Sequence, residues 1–206
     1  MTRLWATCFA LGILLGQSVY AGAAGDAVFA ERGPWSLEGE NPTWSLSIEG
    51  PEAEGFTGVS DGTVTLSEVT DPSDGEPVLQ LTENTGTRER AIGPFPISGG
   101  DPVLTFFLEQ TARDMVRQTG GSPFYIRNRM KEVLFGGGDI TQQDDGQIAT
   151  FMPFADEENV SRLRGFETLK LTFRLGQDPK SMIRELQAET DPMGDLAPYR
   201  SRMVLQ

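Results

Sequence analysis

Histidine is missing from all 206 residues, and Cys8 is the only cysteine. The first absence removes Ser-His and Cys-His nucleophile pairs, along with the side chain most used as a general base near neutral pH. The second removes any intrachain disulfide. Together they exclude the His and Cys ligand sets of ordinary zinc and copper sites. S-x-x-K and P-loop patterns are lacking as well. These gaps argue against an enzyme, and no cofactor or metal is expected. Basic residues are scarce, 17 Lys and Arg against 30 Asp and Glu, for a net charge of −13. Nucleic acid is therefore not an expected partner, because its binding depends on cationic neutralisation of phosphates. Adsorption to anionic lipid surfaces is disfavoured for the same reason.

What is present begins with an export pattern. Arg3 is followed by an apolar run over residues 4–15, then by small residues at Ala21, Gly22, Ala23 and Ala24. This is the order of a secretory signal, and the run falls short of the roughly 20 residues that span a bilayer. Cleavage after Ala21 or after Ala23 fits the small-x-small rule, the second slightly better. The expected division is a signal peptide at 1–23 and one globular domain at 24–206. The signal's single charge, Arg3, is positive, so the mature chain is near −14. Cys8 leaves with the signal, and no stable membrane insertion follows cleavage. The expected location is periplasmic or secreted.

Alternating apolar and polar residues predict strands at residues 44–48, 63–66, 77–81, 147–151 and 169–175, the last alternating strictly. Asp61-Gly62 and Asp145-Gly146 read as hairpin turns. Residues 181–188 favour a returning strand over a helix, and residues 199–206 can close the sheet. Residues 103–108 fit either a buried strand or a helix that starts at Asp101-Pro102. Helix-favouring composition follows from Glu109, with a stop at Gly120-Gly121. A second helix starts at Ser122-Pro123 and stops at the glycines 136–138. The fold class expected is α+β: a β-rich single domain, sandwich or half-barrel, with a helical hairpin at about 109–135.

Acidic clusters offer weak alternatives. Asp139, Asp144 and Asp145, or Asp156, Glu157 and Glu158, are candidates for carboxylate acid-base chemistry of the kind that cleaves glycosides. Residues 71–76 and 139–146 present oxygen atoms near glycines, as calcium sites do, but neither follows the EF-hand order. Trp35 and Trp44 are expected in the core rather than on a sugar-stacking surface.

The most distinctive feature is basic. Residues 113–131 hold five cations, Arg113, Arg117, Arg127, Arg129 and Lys131, and one acid, Asp114. Arg113 and Arg117 are one helical turn apart, as are Arg127 and Lys131. Arginine grips carboxylates and phosphates through paired hydrogen bonds. The same residues can instead neutralise the protein's own acids on a solvated helical face. The functional expectation is a non-catalytic binding or accessory protein of the bacterial cell envelope. Its anionic ligand or protein partner would be engaged by the cationic hairpin, with Phe124 and Tyr125 beside it. The alternative is a carboxylate-dependent enzyme acting on envelope polysaccharide.

Overall fold

The computed structural model describes residues 22–158 and 160–206. The signal expected over residues 1–23 lies outside the described residues, apart from Gly22 and Ala23. A short helix, α1 (Ala23–Val28), comes first. Four strands follow, β1 (Thr43–Glu49), β2 (Val59–Thr70), β3 (Pro77–Asn84) and β4 (Glu89–Pro96). Then come α2 (Pro102–Thr119) and α3 (Pro123–Gly136). The last five strands are β5 (Asp139–Gln143), β6 (Gly146–Phe151), β7 (Lys170–Leu175), β8 (Glu185–Glu189) and β9 (Arg200–Leu205).

All nine strands join in one antiparallel sheet of order β4-β3-β2-β1-β9-β8-β7-β6-β5. The first four step outward from the centre to one edge. The α2–α3 pair then carries the chain to the opposite edge, and the last five step back until β9 pairs with β1. The result is the β-rich α+β domain with a helical hairpin that the pattern predicts, built on one sheet rather than on the two of a sandwich.

Period-two alternation fixes the register, because slipping by one residue would turn every apolar side chain outward. Leu171, Phe173 and Leu175 of β7 face the core, as do Trp44, Leu46 and Ile48 of β1. Lys170 and Arg174 face solvent and pair across the strands with Glu189 and Glu185 at 2.6 and 3.2 Å. Trp44 is fully enclosed, and its indole N–H donates to the Ile183 carbonyl at 2.9 Å. Trp35 is buried too, as expected.

Residues 103–108 are helical, and the hairpin begins at Pro102 rather than near 109. The Asp101 carboxylate accepts from the Val103 and Leu104 amides at 2.9 and 3.0 Å, capping the helix, and Pro102 needs no amide partner at the first position. The apolar run that reads like a strand is the face of α2 toward the sheet, where Phe107 meets Phe173 edge-on at 6.0 Å. Ser122 caps α3, whose Ile126, Met130 and Leu134 are buried at helical spacing.

Asp61-Gly62 is not a hairpin turn. It lies inside β2 beside an irregularity in the β1–β2 register, where a Cβ on Gly62 would stand 2.6 Å from a Val59 methyl. The link from β1 to β2 is instead the longer segment 50–58.

Candidate functional site

Three segments meet at a polar cleft of about 340 Å³, and four arginines line it. Arg88 and Arg90 come from the β3–β4 hairpin, and Arg113 and Arg117 from α2. Thr85 and Thr87 add hydroxyls, Gln110 adds an amide, and residues 55–59 form the opposite wall.

Each side chain has a local reason for its place. Gln110, Arg113 and Arg117 are three and four residues apart, so one face of α2 carries all three. Arg90 stands directly opposite Glu83 in the β3–β4 register and donates to its carboxylate. Arg88 approaches the same oxygen at 3.7 Å. Glu83 is only 3% exposed, so a buried carboxylate holds the two β-hairpin arginines at the cleft.

A second buried carboxylate holds the helix side. Asp114 accepts from Arg117 at 3.0 Å, from Gln110 at 3.0 and 3.2 Å, and from the Tyr199 hydroxyl at 3.1 Å. Burial pushes the Asp114 carboxyl above its ordinary range, against the pull of those three donors. Burial and the neighbouring Asp114 likewise push the Tyr199 phenol well up. The loop opposite is tied down by Gln118, whose amide donates to the Pro51 carbonyl at 2.8 Å.

The five cations singled out in the sequence are divided by the fold. Arg113 and Arg117 enter the cleft. Arg127 and Lys131 line a different groove, between α2 and α3. Arg129 pairs with Glu132 at 3.2 Å, within its own helix. The two helices do bring Arg113 and Arg127 together, because both donate to Glu109, at 3.0 Å and at 2.6 and 2.8 Å. The hydrogen bond from Arg127 holds Glu109 below the usual carboxylate range. Phe124 and Tyr125 are exposed rather than in the core, and the Tyr125 hydroxyl donates to Glu157.

Arg88, Arg90 and Glu83 were not singled out in the sequence. The run Thr85-Gly86-Thr87-Arg88-Glu89-Arg90 carried a usable signal, two arginines at period two beside a turn. It lies more than twenty residues from Arg113, and only the folded sheet brings them together.

The other chemistries have less geometry behind them. Among the described residues no three His, Cys, Asp or Glu side chains gather as a metal site. In the 71–76 turn, Asp71 accepts from the Ser73 amide and hydroxyl at 2.8 and 2.6 Å, and Asp74 accepts from the Glu76 amide at 3.0 Å. Asp145 pairs with Arg184 at 2.9 Å. Gly58-Val59-Ser60-Asp61-Gly62 matches the G-x-S-x-G spacing of a nucleophile elbow. That motif works at a sharp strand-to-helix turn with a histidine partner. Here Ser60 sits within β2, and the chain has no histidine.

No protein-family model matches this chain, and no curated protein matches it. The functional reading rests on the site.

Proposed function

We propose that this chain is an exported, non-catalytic binding protein of the bacterial cell envelope, and that its arginine cleft takes an anionic group of a ligand or partner. The observation that carries this reading is four arginines from two distant segments lining one cleft in a chain of net charge −13. Each guanidinium has five N–H donors in a planar fork suited to carboxylate or phosphate. The internal acids leave much of that capacity open, since Arg88, Arg113 and Arg117 keep side-chain exposures of 65%, 43% and 39%. Among the described residues, Glu83 is the only carboxylate lining the cleft. With two arginines around it, the site suits anion binding better than paired-carboxylate catalysis.

Calorimetric titration with pyrophosphate and with citrate at low salt tests the reading. A hydrogen bond to a charged group contributes about 1.5–3 kcal/mol, so Arg88→Gln and Arg113→Gln should each weaken binding roughly tenfold to a hundredfold. Rising salt should weaken it further, as exposed charge attraction is screened over about 8–10 Å. Equal affinity in wild-type and doubly substituted protein, both folded by circular dichroism, would retire it.

A further inference from the structure

A second concavity, apart from the arginine cleft, opens where α1, α2 and α3 meet. It measures about 690 Å³, inside the roughly 300–1,000 Å³ of small-molecule sites. Ala112, Met130 and Leu134, all buried, form its floor with the half-buried Leu108. Phe29 and Phe135 bound it as a stacked pair, with ring centroids 4.4 Å apart. Phe135 is 56% exposed, a large apolar side chain left in water.

The rim is charged, and of one predominant sign. Arg127 and Lys131 stand one turn apart on α3. Among the described residues Glu109 is the single acid lining the groove, and Arg113 and Arg127 already share it. Lys131 has no carboxylate partner among the described residues. Its ammonium lies 6.0 Å from the centre of the Phe135 ring. An apolar trough with a cation at its rim complements one chemistry, a hydrocarbon chain that ends in an anion.

We propose that this groove binds the alkyl chain of a long-chain fatty carboxylate, with the carboxylate at Arg127 and Lys131. A bare hydrocarbon leaves the rim cations unused, and a cationic amphiphile is repelled by them. The interaction is local, so it does not require the acidic protein as a whole to adsorb to a bilayer.

The test is titration of the purified protein with octanoate, decanoate, dodecanoate and tetradecanoate below their micellar concentrations. Each buried CH₂ contributes about 0.8 kcal/mol, about a fourfold gain in affinity per methylene, until the chain outgrows the groove. Dodecyltrimethylammonium should bind at least tenfold more weakly than dodecanoate. Lys131→Gln, an exposed change, should narrow that preference. Leu108→Gln should weaken every chain, and Arg200→Gln on the outer sheet face, outside both clefts, should change nothing. If Leu108→Gln does not fold, the headgroup comparison and Lys131→Gln still decide. No binding, equal affinity for the two headgroups, or affinity independent of chain length would overturn the proposal. So would a dimer that Leu108→Gln dissociates without any carboxylate binding, since the groove would then belong to a second copy.

Discussion

Replacing Asp114 with Ala probes the buried anchor under the cleft. The residue is 1% exposed and accepts from Gln110, Arg117 and Tyr199. Its loss strips the Tyr199 hydroxyl of its acceptor, and Tyr199 is itself 1% exposed. A buried unsatisfied hydroxyl costs about 1–3 kcal/mol. The Ser201 hydroxyl, buried without a hydrogen-bond partner, offers that phenol a fallback, which sets the lower end. The bonds to Gln110 and Arg117 are worth less, about 0.5–1.5 kcal/mol each, because both side chains reach water. Asp114→Ala should therefore lower stability by about 2–6 kcal/mol, a large share of the roughly 5–15 kcal/mol of a typical domain. Urea unfolding followed by circular dichroism measures it. Tyr199→Phe in the Ala background then removes the stranded hydroxyl, so the two changes should couple by about 1–3 kcal/mol. Losses that add to within about 0.5 kcal/mol would refute the idea that the Tyr199–Asp114 bond anchors α2 to the sheet.

The acid-range stability profile carries a sign. Burial raises Asp114 and Asp101 above their unfolded values, so each favours the fold most below about 3.8 and loses that contribution as pH climbs through its raised folded value. Thermal melts of Asp114→Asn should fall less steeply than wild type from pH 3.8 upward, and identical profiles would contradict the burial argument. The processed amino terminus should be Gly22, not Ala24. The Gly22 carbonyl accepts from the Asp26 amide at 2.8 Å and Ala24 is 1% exposed, so a chain starting at Ala24 would cut α1 and bury a new ammonium. Intact mass of protein recovered from a periplasmic extract decides between them. Gly25→Leu should destabilise by about 1–3 kcal/mol or more, because a Cβ there would meet the Leu134 carbonyl oxygen at 2.3 Å. An unchanged melting temperature would mean that α1 is not docked on α3.

The sequence was most readable where one physical signal acted alone. The strict alternation of β7 and the Ser122-Pro123 start of α3 each had a single interpretation, and each is found. At Asp101 two signals competed, since the apolar run after it suits a strand while the Asp-Pro pair suits a helix start. The capping hydrogen bonds decided in favour of helix. β4 was invisible because Gly93, Pro94 and Pro96 interrupt it, which an edge strand tolerates and an inner strand does not. Half of the cleft was legible as the helical spacing of Arg113 and Arg117. The other half depends on a β-hairpin that meets α2 only after the sheet has formed, and no local pattern encodes that meeting.

The central claim, that the four cleft arginines bind an anion together, is tested most directly by arginine side-chain NMR. Nε–Hε resonances assigned by single Arg→Lys substitutions would be followed as pyrophosphate is added. The signals of Arg88, Arg90, Arg113 and Arg117 should shift along one shared binding curve, while Arg200 and Arg202 on the outer sheet face stay in place. Shifts spread evenly over all the arginines, or confined to the outer face, would contradict the account.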